Sequence, residues 1–338
     1  MSSSSRPPTL HLVCSRGGHL DVLLSLREAF AGFDVVWITQ QSDRAEALRR
    51  AGERVRGLGE YSRGASLPAT ARTVWRSIAI VARERPRLLV TSGAGIAVPF
   101  CVLARLAGAY VVFVETSARV RGASSSGRVL SRIANHVIAQ WEEMRTVYPG
   151  ATIARSNVVQ VIATRPPVPG EGTFVGVGTH SQPFDRLLAM ADRAIGAGLL
   201  PRPALIQTGP STLSIDHAES REFVTPDEME ARIRSARFVV CHAGSGTLAG
   251  ALRAGRRPLV LARLERHGEH FDDHQQQLVD KLASLDLAVP LGDEITSADL
   301  ARADRPLRVP DELERLPPLL ECVRDAVRRK HRGGRARA

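Results

Sequence analysis

Residues 235–264 read SARFVVCHAGSGTLAGALRAGRRPLVLARL, and the whole architecture can be worked out from them. The first apolar run, Phe238 to Cys241, is short and valine-rich, as suits a strand buried on both faces. A turn follows, His242-Ala243-Gly244-Ser245-Gly246-Thr247, then a helical stretch from Leu248 to Ala254 and a second β-like run from Pro258 to Leu261. Strand, turn, helix and strand in that order make a unit of a parallel sheet. Glycines let the backbone of such a turn come close to a ligand, and the helix N-terminus adds unpaired N–H groups and a positive dipole end. With the hydroxyls of Ser245 and Thr247 beside them, these groups suit a diphosphate. No G-x-x-x-x-G-K-[ST] is present, so the turn is not an ATPase-type phosphate loop.

The same alternation extends in both directions. Strands are expected at Leu10 to Cys14, Asp34 to Ile38, Arg87 to Thr91, Tyr110 to Val114 and His136 to Ala139, and again at Thr173 to Val177 and Ala204 to Gln207. Helical stretches fill the gaps, which places the chain in the α/β class with doubly wound parallel sheets. A length of 338 residues, at about 150 per domain, fits two domains. The proline- and glycine-rich RPPVPGEG, Arg165 to Gly172, reads as the linker between them. The expected organisation is therefore a first Rossmann-like domain over 1–164, a linker over 165–172, a second domain over 173–310, and a last helix with a basic tail over 311–338. Ligands are expected at the carboxyl ends of both sheets, in a shared cleft.

Composition narrows the function classes. With 43% apolar and 24% charged residues the chain should fold in water, and Met1 to Pro8 has no signal-peptide character. Cys14, Cys101, Cys241 and Cys322 lie far apart without a C-x-x-C pair, and read as buried free thiols in a reducing compartment. The long apolar stretch Ala94 to Val114 holds Pro99, Arg105 and Gly108, so it is not expected to span a bilayer. A net charge of +11, carried almost wholly by arginine, favours a polyanionic partner. Aromatic residues make up only 4%, too few for base stacking, so an anionic membrane surface is expected and nucleic acid is not.

Three further constellations follow expected strands. Ser15-Arg16-Gly17-Gly18-His19 opens a helix and has the geometry of an anion or sugar site; without G-x-G-x-x-G it disfavours a nicotinamide enzyme. Thr91-Ser92-Gly93-Ala94-Gly95 and Glu115-Thr116-Ser117-Ala118-Arg119 end two more strands of the same sheet. A carboxylate just beyond a buried strand costs free energy unless it is paired or functional, so Glu115 either serves the reaction or pairs with Arg119 or Arg121 as scaffolding. Beyond Leu261, His267, His270 and His274 have spacings that suit either a metal or polar groups on a loop and a first helical turn; no metal is expected.

These stretches resemble a known pair of families over nearly the whole chain. SRGGHLDVLL (15–24), TSGAGIAVPFCVLARLAGAYVVFVETSARV (91–120), SSSGRVLSRIA (124–134) and QWEEMRTVYP (140–149) are similar to one subunit of the eukaryotic N-acetylglucosaminyltransferase that adds the second sugar to dolichol-linked oligosaccharide. That subunit is the membrane-recruiting, acceptor-side one, and its bacterial exopolysaccharide counterparts are similar too. TFVGVGTHSQPFDRLL (173–188), IQTGPS (206–211), the opening stretch and GEHFDDHQQQLVDKL (268–282) resemble its catalytic, donor-side partner and the C-terminal domains of family 28 glycosyltransferases. The chain thus looks like a fusion of two subunits, nearest in its GEH-x-x-DHQ run to bacterial capsule and exopolysaccharide enzymes.

The resemblance implies a GT-B fold, two Rossmann-like domains facing a cleft, with a UDP-sugar held mainly by the second. It places Gly178, Thr179 and His180 near the phosphates or sugar and Gln207 and Gly209 near the uracil. His242, Gly244, Ser245, Gly246 and Thr247 fall on the diphosphate, and Glu269, His270, Asp273, His274 and Gln275 around the donor sugar. Gly250 stands where many relatives carry a ribose-binding glutamate. Gly17, Gly18, Ser92, Gly93, Gly95 and Arg119 are assigned to the acceptor side, and His19, with Glu115 as competitor, to the base. The expected activity is inverting transfer from a UDP-sugar to a polyprenyl-diphosphate-linked saccharide, in exopolysaccharide or capsule biosynthesis, at the cytoplasmic membrane face. No Asp-x-Asp is present, so no metal or other cofactor is expected to be needed. The alternatives are a GT-B sugar-nucleotide epimerase, releasing sugar and UDP, and an inactive sugar-nucleotide-binding scaffold, for which Gly250 is the hint.

Overall fold

The valine-rich runs pair into two sheets, each wholly parallel. The computed structural model describes residues 7–59, 67–160, 162 and 170–335. In the first sheet the strands are β1 (Thr9–Val13), β2 (Asp34–Thr39), β3 (Arg54–Gly57), β4 (Leu88–Thr91), β5 (Tyr110–Val114), β6 (His136–Ala139) and β7 (Thr152–Ile153), in the order β3-β2-β1-β4-β5-β6-β7. The second holds β8 (Thr173–Gly176), β9 (Ala204–Gln207), β10 (Glu219–Arg221), β11 (Phe238–His242), β12 (Leu259–Leu261) and β13 (Val289–Pro290), in the order β10-β9-β8-β11-β12-β13. Each order winds outward one way from the first strand and then the other way from its neighbour, as in doubly wound nucleotide-binding sheets. The reversal falls between β1 and β4 in one sheet and between β8 and β11 in the other. At such a point the loops leaving two adjacent strands diverge to opposite faces and open a crevice at the carboxyl ends.

The chain divides into two compact units, 1–156 with 316–338, and 157–315. This differs from the expected organisation at both ends. The helix Leu319–Arg335 is not an appendage: Leu319, Cys322, Val323, Ala326 and Val327 are buried in the first unit's core with Leu10, Leu12, Leu20, Leu23, Val90 and Val112. An amphipathic helix must cover its apolar face, and the stripe recurring at three- and four-residue spacing does so on the first sheet. The first division falls at Ser156, ahead of the proline-rich run. Of the expected linker, residues 165–169 lie outside the described residues; Glu171 N–H already bonds the Ser235 carbonyl at 2.8 Å, as part of the second unit.

The stretch Ala94 to Val114 divides as its glycine suggests, into the helix Ala97–Leu106 and the buried strand β5. Pro99 sits in the first turn of that helix, where its missing N–H removes no intrahelical bond. Among the described residues no helix is long and apolar enough to cross a membrane. All four cysteines are buried and free, and burial pushes the thiols of Cys14, Cys101 and Cys241 up to about 12.

Candidate functional site

In the first unit, the loops after β1 and β4 meet through a reciprocal pair of hydrogen bonds. His19 Nδ1 donates to the Ser92 carbonyl at 2.8 Å, and Ser92 Oγ donates to the His19 carbonyl at 2.9 Å. A carbonyl only accepts, so Nδ1 carries the ring proton and Nε2 is the basic nitrogen. His19 lies in the first turn of the helix Gly18–Ser25, whose N-cap Gly17 has φ 77° and offers no side-chain cap. Gly93 (φ 93°) and Ala94 (φ 79°) are both left-handed, and Ser126 Oγ accepts from Ala94 N–H at 3.2 Å. A non-glycine residue in that region is strained, and such strain gathers at functional sites. Gly18 and Gly95 are exposed beside these turns, and Arg119 is half-buried.

Glu115, the expected competitor for the role of base, is held as a scaffold group is held. It is buried at the end of β5, where its carboxylate accepts from Tyr148 Oη at 2.7 Å, Ser124 Oγ at 3.1 Å, and the backbone N–H groups of Thr116 and Ser124. A Cβ on Gly127 would lie 2.3 Å from Glu115 Oε2, so the helix Ser125–Ile133 is seated directly on the carboxylate. The partners are hydroxyls and amides, not the guanidinium of Arg119 or Arg121 expected above. Burial, with Glu115 adding to it, pushes the Tyr148 phenol far up, so it stays a donor.

In the second unit the crevice lies between the loops leaving β8 and β11. His242 ends β11, and its Nδ1 donates to the Gly176 carbonyl of β8 at 3.3 Å. Burial, then the nearby Arg263 charge, pushes this imidazole down to about 3, so it is neutral near pH 7. Its ring occupies the space in which side chains of two glycines would stand: a Cβ on Gly178 would lie 2.5 Å from Nε2, and one on Gly244 only 2.1 Å away. The His242 ring by itself therefore requires glycine at Gly244. Gly246 is different, exposed with open space around its Cβ position. Between them begins the helix Ser245–Arg253, with no side chain capping its N-terminus. Thr247 is buried, and Gln207 Nε2 donates to the Gly178 carbonyl at 2.9 Å. Gly209 (φ 58°) follows Gln207 and Thr208 at the end of β9; Thr179 is exposed. A Cβ on Gly250 would lie 3.2 Å from Ile233 Cδ1, so this position faces the neighbouring helix Pro226–Ser235.

The run Gly268 to Gln275 separates into two groups. Glu269 is buried and receives both Nε and Nη2 of Arg186, at 3.1 and 2.8 Å, together with the Leu264 N–H at 3.0 Å. Asp273 accepts from the Glu265 N–H at 2.8 Å, and Gln275 Oε1 from the Arg263 N–H at 3.1 Å. These three were assigned to the donor sugar; in the structure they hold the loop after β12. The other group is imidazole. The His180 and His270 rings lie 4.8 Å apart, and those of His270 and His274 4.6 Å apart. Burial, then His274 and His180, pushes His270 down to about 4. Asp272 contacts both His270, at 3.4 Å, and His274, whereas His267 is exposed and lies outside this cluster.

Arg263 was not singled out in the sequence. Fully buried after β12, it reaches the carbonyls of Val177, Gln182 and Glu269 at 2.9, 2.8 and 3.2 Å, and stacks on Phe184 at 4.6 Å. It ties the loop after β8 to the loop after β12 and holds a positive charge beneath them; burial lowers its pKa to about 10, still a cation at pH 7. Its position just past a buried strand is the same signal that drew attention to Glu115. A cavity of about 350 Å³ lined by Arg237, Arg256 and Asp304 lies instead at the amino ends of β8, β11 and β12, away from these loops.

Comparison with known proteins agrees with the two-part reading. Residues 39–155 match the family described as oligosaccharide biosynthesis protein Alg14 like, and residues 174–301 match the glycosyltransferase family 28 C-terminal domain. The UDP-N-acetylglucosamine transferase subunit ALG14 of Homo sapiens is 34% identical over 86 residues, 24% of this chain and 40% of that subunit. The chain thus spans about two fifths of that relative's length. A second relative is the UDP-N-acetylglucosamine–N-acetylmuramyl-(pentapeptide) pyrophosphoryl-undecaprenol N-acetylglucosamine transferase of Ralstonia nicotianae. It is 26% identical, covering 95% of this chain and 97% of the relative. Among solved structures, MurG of Acinetobacter baumannii superposes with a TM-score of 0.64 at 16% identity, over 96% of this chain and 100% of that one, which establishes a shared fold.

Proposed function

From the premise that this chain joins an Alg14-like domain to a family 28 glycosyltransferase C-terminal domain, we propose that it is a UDP-sugar glycosyltransferase acting on a polyprenyl-diphosphate-linked saccharide. The observation that carries the reading is the crevice between β8 and β11. There an uncapped helix N-terminus, the open position at Gly246 and the buried Arg263 cation gather donors and positive charge for a diphosphate. His19 Nε2 takes the acceptor hydroxyl's proton as the oxygen attacks the anomeric carbon from the face opposite UDP. The bond from that carbon to the β-phosphate oxygen breaks, its electron pair leaves with UDP, and helix N–H groups receive the charge. Inversion follows, and no metal is needed for turnover. The setting is the cytoplasmic membrane face, reached peripherally, in exopolysaccharide or capsule biosynthesis, the context suggested by the GEH-x-x-DHQ run.

The test is a panel of UDP-sugars scored by thermal shift and by transfer of labelled sugar to a lipid-linked acceptor, with and without EDTA. A ligand that binds only the native state raises apparent stability, so a shift with one UDP-sugar and EDTA-insensitive transfer are expected. Free sugar and UDP released at full rate without acceptor would favour an epimerase instead.

A further inference from the structure

The imidazole cluster beside the crevice can do something the transfer reaction does not require. We propose that His270, Asp272 and His274 form a divalent transition-metal site, and that an ion bound there excludes the sugar-nucleotide. One ligand atom from each of the three residues lies within 4.8 Å of the others. His270 Nδ1 stands 3.4 Å from Asp272 Oδ1, close to the edge of a tetrahedron, about 3.3 Å, around a zinc ion with bonds of about 2.0–2.1 Å. The Asp272 N–H donates to His270 Nδ1 at 3.4 Å, so that nitrogen carries no proton, and its lone pair turns from this long bond to the ion on binding. His274 Nδ1 hydrogen-bonds the same carboxylate; for metal to bind there, the neutral ring changes tautomer, the Nδ1 proton leaving to solvent while Nε2 takes one up, so that a neutral imidazole presents Nδ1 to the ion.

The three ligands lie within five residues, on a turn that begins with left-handed Gly268 (φ 67°) and ends at the start of the helix His274–Ser284. Little chain entropy then remains to be lost on binding. The turn is fixed from below by Glu269, Asp273 and Gln275, whose bonds to Leu264, Glu265 and Arg263 need not change. The His180 ring packs against His270, and Phe271 lies 5.6 Å from His180, so aromatic groups flank the cluster. Two nitrogens and one carboxylate oxygen suit Zn²⁺, Co²⁺ or Ni²⁺ rather than Mg²⁺, and leave a coordination position open. The exclusion of donor rests on the functional reading above together with the family resemblance, which implies that His270 and His274 lie around the donor sugar; metal binding itself does not.

The experiment uses the full chain, stripped with EDTA, titrated calorimetrically with ZnCl₂ and followed with Co²⁺ by visible absorption. One ion per chain is expected, with affinity at least tenfold lower in Asp272→Asn and unchanged in the exposed His267→Ala. Equal binding by wild type and Asp272→Asn, or none by wild type, overturns the site. Saturating Zn²⁺ is expected to weaken UDP-sugar binding at least tenfold in wild type and not in Asp272→Asn; unchanged UDP-sugar affinity with the ion bound overturns the exclusion. Failure of every UDP-sugar to bind the stripped protein would count against the transferase reading alone, since the zinc titration stands without it.

Discussion

At the residue scale, the two glycines of the β11 turn have opposite roles and make opposite predictions. A methyl at Gly244 must displace the His242 ring, so Gly244→Ala is expected to lower stability by about 1–3 kcal/mol, as overpacking does, and UDP affinity with it. Gly246→Val projects into open space, so its Tm should stay near wild type while UDP binding is lost; calorimetry and thermal melts on both variants check this. For the base, His19→Ala is expected to lower kcat by about a hundredfold or more with UDP-sugar binding intact. Glu115→Ala should lower Tm instead, because it leaves Tyr148 and Ser124 without their acceptor; losing buried partners costs about 1–3 kcal/mol. A dead but thermally normal Glu115→Ala would return the base to Glu115. The buried imidazoles of His242 and His270 also set a pH dependence. Their folded pKa values lie below the unfolded value, so the unfolded chain binds more protons as pH falls. Stability should be fully present above about 6.5, the ordinary histidine value, and decline continuously toward pH 3. His242→Phe cannot be charged, so urea titrations across this range should give it a shallower acid slope. His19 and His242 stand out in the chain because histidine and glycine together at a strand end are visible in one dimension, whereas Gly178 enters only through the family resemblance. That Glu115, Glu269 and Gln275 are spent on neighbouring N–H groups is not visible there, since those partners are set by how loops fold back.

At the scale of elements, what could be read was the interior of each sheet. The expected runs at Tyr110 to Val114, His136 to Ala139 and Ala204 to Gln207 coincide with β5, β6 and β9, and others differ by a residue at their ends. Central strands covered on both faces must be apolar throughout, and that is a strong signal. The strands that escaped notice, β3, β7, β10 and β13, have two to four residues and occupy the outer positions of the sheets. Glu219–Arg221 is exposed along its length, so neither burial nor alternation marks it in the sequence. The last helix shows a second limit: its apolar stripe is legible, but the surface it covers is not. Because Leu319 is fully buried in the first unit's core, Leu319→Ala is expected to cost about 2–5 kcal/mol, lost from the first unit although the residue is encoded beyond the second. Hydrogen exchange should show the new opening in β1, β4 and β5, with the second sheet's protection unchanged. Loosening confined to residues 157–315 would contradict the assignment.

At the scale of the molecule, a charge of +11 needs a surface on which to act, and the helix Leu67–Glu84 provides one. Its inner side mixes hydroxyls with the half-buried Val74, Ile80 and Val81, and its outer side carries large apolar groups. Thr73 and Ser77 are turned inward, while Trp75 is 72% and Leu67 87% exposed, with Ile78 beside them. The inward hydroxyls are satisfied within the helix, Ser77 Oγ donating to the Thr73 carbonyl and Thr73 Oγ1 to that of Ala69. Arg72, Arg76 and Arg83 are exposed on the same helix, so apolar and basic groups share its outer side. Phe100 makes no apolar contribution to such a surface, since its side chain is fully buried; Leu106, 81% exposed, stands at the end of its helix instead. Tryptophan and arginine together are what an anionic bilayer surface takes up, the ring at headgroup depth and each guanidinium contributing about 1 kcal/mol at low salt. Peripheral binding to vesicles rich in anionic lipid is therefore expected, falling as salt screens the arginines. Replacing Arg72, Arg76 and Arg83 together removes about 3 kcal/mol, roughly a hundredfold in partitioning at low salt. Trp75→Ala should instead weaken the part of binding that survives high salt, because burial of its ring is not screened. Co-sedimentation across a salt series separates the two contributions. Binding indifferent to both sets of substitutions, or to the anionic content of the vesicle, would show that this helix is not the surface in contact.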